Sequence, residues 1–323
     1  MIGILSNSFD VTADYVCSRL EQNQLDYIRL NTDQLVKNTQ LLYKLNSFSL
    51  VINNRILRLD DIRSMWCRRP QSLGFKENTT FEKGDKTHSI SEWSAAIEGF
   101  LAHIPIKLWI NHPSNNALAM SKLEQLSRAN RLGLTIPKTL VTQSFEETME
   151  FWKECKGSLV VKPISHGYIE RDNSNEDTLI FTNEVTLAQL SENQDLLSLC
   201  PTLFQEKVKK IYDVRINIID EKVIAVALYA SEQDKLQAID IRRNNMENVR
   251  YQLIVLPSYI ENKVLELCQS YKLRFATVDM AFTKDYNWVF FEINPNGQWA
   301  WLDLEGVTDI ASSLLKSMQL MRS

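Results

Sequence analysis

Short apolar runs separated by amphipathic stretches organise this chain. Residues 2–5 (IGIL) are a first apolar run. The polar segment after them carries Val16 and Leu20 at helical spacing, and DYIRLN is a second strand-like run. Strand, helix, strand in that order opens an α/β layer with a parallel sheet. SLVINN and RILRL, near 49–59, predict a hairpin or edge strands, and IRSMWCRRP (62–70) predicts a strand closed by Pro70. Residues 71–88 are polar and predict a loop, 89–104 an amphipathic helix, and 108–111 (LWIN) a further strand stopped by His112-Pro113.

The period changes after that point. A helix over about 114–132 is predicted, with Gly133 where a helix C-cap glycine belongs. A strand (KTLVT), a helix (FEETMEFWKECKG) and a strand (SLVVKPI) follow as a small α+β unit. The last third reads as the strand TLFQEKV and a hairpin, VRINIID-EKVIAVALYA, turning near Asp220-Glu221. A helix over about 258–271, the strands FATVDMAFT and NWVFFEINP, and a closing helix over about 308–320 complete it. The expected fold class is therefore α/β and α+β, in three units at 1–112, 113–200 and 201–323. A length of 323 residues exceeds what one hydrophobic core usually serves, which agrees with several subdomains.

Composition narrows the function classes. With 44% hydrophobic and 24% charged residues the balance is that of a globular protein. A net charge of -4 argues against a dedicated nucleic-acid binder, which would carry a basic face. The N-terminus lacks the pattern of a signal peptide, and no window approaches the ~20 apolar residues of a membrane helix, so a cytoplasmic protein is expected. The five cysteines are scattered without CxxC spacing, as expected of free thiols in a reducing compartment. The four histidines form no zinc-type pair. Only nine glycines occur, with no GxGxxG and no P-loop, so a nucleotide would have to be bound by another route.

Several residue groups carry candidate chemistry. Asp279 lies inside one apolar strand and Glu292 inside the next, and Asn294, two residues on, projects to the same face as Glu292. Two carboxylates and an amide oxygen are hard ligands suited to Mg²⁺, which bridges nucleotide phosphates; pairing of the carboxylates with buried arginines is the other role open to them. Lys162, ending SLVVKP, can meet phosphate oxygens as a point charge or sit at a solvated strand end. FQEKV (204–208) can offer backbone groups to an adenine edge, with Glu206 near the exocyclic amine. Arg215 in DVR, and Arg242 and Arg243 in DIRR, are forks suited to phosphoryl oxygens or to surface ion pairs. Trp66-Cys67-Arg68-Arg69-Pro70 fits a substrate contact and an interdomain packing point equally. His166 sits beside a phosphate-loop position or in solvent, and Trp299 and Trp301 read as packing residues.

The order of these signals (VVKP, QExV, DVR, DxRR, then D…EINPNGQW) resembles the ATP-grasp superfamily. Within it, MWCRRP, KLEQLSRANRLGLTIPKT and above all EINPNGQW resemble the microviridin-type peptide ligases, the graspetide synthetases or ATP-grasp ribosomal peptide maturases. The resemblance covers nearly the whole chain. It implies an ATP-grasp fold with an N-terminal pre-ATP-grasp α/β domain, and ATP clamped between the second and third units. It implies phosphate contacts from Lys122 and Lys162, an adenine-binding strand at Gln205, Glu206 and Val208, and a ribose contact from Asp213. Arg215 and Arg242 would act at the transferred phosphate, with Mg²⁺ on Asp279, Glu292 and Asn294. The implied reaction closes ω-ester or ω-amide rings in a precursor peptide (leader plus core) through an acyl-phosphate, and the implied assembly is often a homodimer. One departure is that PISHGYI has a single glycine where many ATP-grasp proteins have a glycine-rich loop. Two alternatives stand beside this reading: an ATP-grasp ligase adding glutamate or another amino acid to a peptide or protein, and a non-catalytic peptide- or nucleotide-binding module.

Overall fold

The chain opens with β1 (Ile2–Ser6), α1 (Val11–Gln22) and β2 (Tyr27–Asn31), then α2 (Leu35–Asn38), β3 (Thr39–Lys44), β4 (Ser47–Ile52), β5 (Arg55–Arg58) and β6 (Ser64–Cys67). The N-terminal layer ends with α3 (Lys83–Ala102) and β7 (Trp109–Ile110). In this computed structural model residues 1–45, 47–74, 82–165, 167–169 and 178–320 are described. β1 and β6 are buried along their whole lengths, as strands covered on both faces must be. They lie central in a parallel sheet of order β2-β1-β6-β7. Strand β3 was not anticipated; it completes the antiparallel sheet β3-β4-β5 beside the predicted hairpin. Helix α3 also starts earlier than expected. Its first turns, KGDKTH, hold no apolar residue, so periodicity is silent there although the backbone is helical.

The middle of the chain contains α4 (Pro113–Ala119), α5 (Lys122–Arg131), β8 (Thr139–Thr142), α6 (Phe145–Glu154), β9 (Leu159–Lys162), β10 (Tyr168–Ile169) and β11 (Thr178–Leu179). It continues through β12 (Asn183–Val185), α7 (Leu187–Glu192), α8 (Gln194–Leu197) and β13 (Thr202–Glu206). The single helix expected over 114–132 is two helices, broken at Met120-Ser121, and the break sets Lys122 at the start of α5. Gly133, with φ of 79°, adopts the left-handed conformation that ends α5. The second sheet has order β12-β9-β13-β8 and is antiparallel. Because β13 pairs with β8 and β9, sheet membership changes after Glu206, whereas the boundary drawn from the sequence falls at 200.

The final third is β14 (Lys210–Ile219), β15 (Lys222–Tyr229), β16 (Arg250–Ile254), α9 (Ser258–Ser270), β17 (Phe275–Thr283), β18 (Trp288–Asn294), α10 (Ala300–Leu304) and α11 (Ile310–Gln319). Its five strands form an antiparallel sheet of order β16-β15-β14-β17-β18. On one face, Val214, Ile216, Ile218, Val278 and Met280 pack against Leu126 and Ala129 of α5 and Val264 and Leu267 of α9. On the other, Ile219, Val226, Leu228 and Phe275 join Ile2, Ile4 and Trp66 of the first layer and Leu314 of α11 in one core. Each such side chain stabilises the packing by about 1.5–3 kcal/mol on full burial, so the N-terminal layer is fixed against the last sheet rather than tethered to it. All five cysteines are free thiols, with Cys200 exposed and the others buried. Among the described residues no helix is long and apolar enough to cross a membrane.

Candidate active site

The mixed face of the five-stranded sheet turns polar at its centre. Arg215 of β14 stands directly opposite Asp279 of β17, which stands opposite Glu292 of β18. One step along, Asn217, Thr277 and Asn294 form a second row. Cross-strand partners project to the same side, so both rows share the face. A bulge between Asp279 and Met280 leaves Phe291 as an extra residue on β18. A bulge of this kind re-aims side chains. Here Phe291 lies under the Lys162 ammonium, 4.4 Å from nitrogen to ring centre, while Glu292, and after it Asp240, are the carboxylates acting on that same lysine.

Asp279 is bound by Arg215, whose Nη1 donates to both carboxylate oxygens at 2.7 and 2.8 Å. The arginine-pairing role left open for the carboxylates therefore applies to Asp279. Glu292 differs: among the described residues no donor hydrogen-bonds its carboxylate. Asn294 Oδ1 accepts from Asn296 N at 2.9 Å and keeps a second lone pair. These donors fit a magnesium ion. The open carboxylate of Glu292 is the hard anionic ligand such an ion requires, with Asp279 and the Asn294 amide oxygen beside it.

Two lysines face the carboxylates from other elements. Lys162 ends β9 and has no hydrogen-bonding partner among the described residues; burial pushes its ammonium down to about 8, with Glu292 pulling the other way. Lys122 donates to Pro163 O at 2.7 Å and Ser165 O at 3.1 Å, closing α5 onto the segment after β9. Burial lowers its pKa too, again opposed by Glu292. Half-buried cations without carboxylate partners are stabilised when an anion binds between them.

The other predicted residues divide. Gln205 is buried and donates to Thr139 Oγ1 at 3.0 Å. Glu206 Oε1 accepts from Lys138 N at 3.1 Å, so this carboxylate holds β13 to the start of β8. Val208 lies in the link between β13 and β14, where its backbone N–H and C=O make no backbone hydrogen bond among the described residues. Asp213 shares the polar face with Arg215, but Lys210 Nζ donates to both its oxygens at 2.7 Å. Burial raises the Asp213 carboxyl above its ordinary value and Lys210 counters that. Arg242 is tied to Asp240 through Nε at 2.9 Å and Nη2 at 2.6 Å, and its charge acts on Glu292 and Asp279. Arg242 and Arg243 both lie over Phe181 and brace the link between the second and third sheets. His166 lies outside the described residues. Trp299 is fully buried, edge-on to Tyr15 at 6.1 Å, and Trp301 packs on Tyr251, so both are packing residues.

Sequence reasoning missed Phe291 and Lys210, and it singled out Arg68 and Arg69 without their partner in the fold. Phe291 needed the bulge to reach the cleft. Lys210, three residues before Asp213, was legible as an ion-pair spacing. The Arg68–Arg69 pair meets the loop after β18 across more than two hundred residues of chain, which no local pattern reveals.

The site thus combines Lys122, Lys162, Arg215 and Arg242 with a carboxylate–carboxylate–amide set between two antiparallel sheets, groups suited to nucleotide phosphates and a magnesium ion. Known proteins agree. Residues 1–117 match the family model of the MvdD pre-ATP-grasp domain. Over 98% of this chain and 99% of the other, the structure is similar to macrocyclase MdnC bound with precursor peptide MdnA from Microcystis aeruginosa MRC, at 26% identity and a TM-score of 0.85. It is similar to a Chryseobacterium gregarium RiPP-associated ATP-grasp ligase in complex with ADP and a leader and core peptide, at 27% identity and a TM-score of 0.87, covering 100% of this chain and 97% of that one. D-alanine–D-alanine ligase from Bacillus anthracis, complexed with ATP, shares the fold at 14% identity and a TM-score of 0.55, covering 98% of this chain and 94% of that one. No protein of curated function matches the sequence. The chain carries an N-terminal pre-ATP-grasp domain of the MvdD type and is an ATP-dependent ligase similar, from end to end, to ATP-grasp ligases of the graspetide-maturase type.

Proposed function

We propose that this enzyme closes ω-ester or ω-amide macrocycles in a ribosomally made precursor peptide. The observation that carries the reading is end-to-end similarity to two peptide-bound ligases of this type, with the Arg215–Asp279–Glu292 row at the centre of the site. A carboxylate oxygen of an Asp or Glu side chain in the peptide attacks the γ-phosphorus of ATP. The bond from that phosphorus to the β,γ-bridging oxygen breaks, and ADP leaves. A Ser or Thr hydroxyl, or a Lys amine, of the same peptide then attacks the acyl-phosphate carbon. Inorganic phosphate departs with the C–O bonding electrons, and the nucleophile loses its proton. Having both groups in one chain supplies the proximity advantage.

In this scheme Lys122 and Lys162 hold ATP phosphates, and the open backbone at Val208, beside Gln205 and Glu206, receives the adenine edge. Asp213, held by Lys210, flanks the ribose. Arg215 and Arg242 steady charge on the transferring phosphoryl oxygens. Asp279, Glu292 and Asn294 would hold Mg²⁺, which when bound screens the negative charge of the phosphates and of the incoming carboxylate. The units 113–200 and 201–323 act as the two jaws on ATP, with the unit 1–112 packed on the last sheet.

Mass spectrometry of a candidate precursor from the same gene neighbourhood, incubated with the enzyme, ATP and Mg²⁺, tests this. Loss of one water per bond, absent with Glu292→Ala, is the expected result. An ATP-dependent gain of amino-acid mass when free amino acids are supplied would replace ring closure with the amino-acid ligase.

A further inference from the structure

The turn that follows β18 is held from three directions. It closes on Asn294, one of the candidate metal ligands: Asn296 N donates to Asn294 Oδ1 at 2.9 Å, and Gly297 N donates to Asn294 O at 3.2 Å. From the N-terminal layer, Arg68 Nη1 donates to Asn296 O and, at 3.0 Å, to Gly297 O, and Arg69 Nε donates to Asn296 O at 3.1 Å. On its third side the turn is pressed against β17. A Cβ on Gly297 would lie 2.4 Å from Thr277 Cβ, so any larger residue must displace the turn. Thr277 is itself the cross-strand partner of Asn294.

Arg68 anchors this clamp. It follows directly on β6, is fully buried, and pairs with the buried Asp10 at 3.1 Å. Asp10 is fixed in turn, because its Oδ1 accepts from Ala13 N at 2.8 Å as the N-cap of α1. Burial pushes the Arg68 guanidinium down to about 10 and Asp10 opposes that, so the group stays charged at neutral pH. A charged donor binds a carbonyl more strongly than a neutral one does. The contact is not what joins the two layers, since the core of Ile2, Ile4, Trp66, Val226 and Leu314 already does so. What it adds is local. An asparagine amide can turn either its oxygen or its nitrogen to a given side, and an N–H binds only the oxygen. The Asn296 N–H therefore fixes the Asn294 amide and leaves the second lone pair of Oδ1 for another partner. Asn296 keeps that aim because Arg68 holds its carbonyl.

We propose that Arg68, seated by Asp10, is a positioning residue for the metal site: it holds the turn from Asn294 to Gly297 so that the Asn294 amide presents its oxygen as a ligand beside Glu292 and Asp279. This rests on the magnesium role proposed above for those three residues. It makes the pre-ATP-grasp domain part of the metal site although none of its side chains is a ligand. Groups that orient a ligand in this way govern metal affinity by roughly 10–100-fold.

The test reads metal binding rather than turnover. The full-length enzyme is titrated with Mn²⁺, a paramagnetic stand-in for Mg²⁺, in the presence of ADP, and bound metal is followed by electron paramagnetic resonance. Arg68→Lys keeps the charge but cannot reach Asp10 and two carbonyls at once. This variant and Asn294→Ala are each expected to weaken metal binding roughly tenfold. The double variant should bind no more weakly than Asn294→Ala alone, because Arg68 acts through that side chain. Gly297→Ala displaces the same turn and leaves the Arg68–Asp10 pair intact. It should reproduce the loss, and it covers the case in which Arg68→Lys does not fold. A further loss from Arg68→Lys in the Asn294→Ala background, or unchanged metal binding in Arg68→Lys and Gly297→Ala, would overturn the proposal. Wild-type metal binding by Asn294→Ala would overturn both the proposal and the magnesium role of that residue. The expected losses, in an enzyme that removes no water from a precursor peptide, would keep the positioning role and reject the ring-closing reaction.

Discussion

The two faces of β14 divide the protein's tasks. Val214, Ile216 and Ile218 point to one side and are buried against α5 and α9. Asp213, Arg215 and Asn217 alternate with them and point to the other, where each has a polar neighbour: Lys210, Asp279 and Thr277. The apolar face can hold its geometry without a ligand, because its partners are all present. The polar face is incomplete. Among the described residues Arg215 Nε and Asn217 Nδ2 are buried without hydrogen-bond partners, and no donor reaches the Glu292 carboxylate. Unpaired buried polar atoms are costly, so a face that collects them is built for something that binds there. The comparison separates residues that should govern stability from residues that should govern turnover.

The sharpest way to break that separation is Glu292→Ala. Product formation should fall by on the order of 10²–10³-fold or more, with little change in melting temperature, since this side chain anchors nothing in the fold; a large melting shift with preserved turnover would reverse the assignment. On the opposite face, Ile216→Ala should cost about 2–5 kcal/mol in chemical denaturation and leave the turnover of the folded fraction intact. Asp240 tests the brace between the second and third sheets. Burial alone would raise its carboxyl, but Arg242 and the backbone N–H groups of Thr182 and Arg242 outweigh that and hold it well below its ordinary value of 3.8. A depressed carboxyl stabilises the fold above its unfolded-state pKa and loses that contribution as pH falls toward the folded value. The melting difference between wild type and Asp240→Asn should therefore be constant above about pH 5 and shrink below about pH 4; a constant difference down to pH 2 would contradict the pairing. The smallest effect belongs off both faces. Arg55 and Asp26 are 50% and 63% exposed, so Arg55→Ala should change stability by less than about 1 kcal/mol.

Much of this division was legible in the sequence, for a physical reason. The alternation in VRINII states which residues of β14 face the core and which face the cleft, and the same period puts Glu292 and Asn294 on one side of β18. The strands around Asp279 and Glu292 stood out because carboxylates inside apolar runs need partners. What stayed hidden depended on geometry that no local period encodes. The bulge brings Phe291 to Lys162, the break at Met120-Ser121 starts a helix at Lys122, and the pairing of β13 moves a strand into the central sheet. Arg68 and Arg69 were visible as a basic strand end, yet their contact with the loop at 296–297 exists only in the folded chain. Strand β16 escaped notice because RYQLI is largely exposed at a sheet edge and carries no clean alternation.

The central claim is that a peptide side-chain carboxylate becomes an acyl-phosphate in this cleft. The most direct measurement follows its oxygens. A precursor peptide with ¹⁸O in its Asp and Glu carboxylates is incubated with the enzyme, ATP and Mg²⁺, and the released phosphate is analysed by mass. One ¹⁸O atom per bond formed should appear in inorganic phosphate, with ADP unlabelled. Label in AMP, or product formed with unlabelled phosphate, would contradict the account.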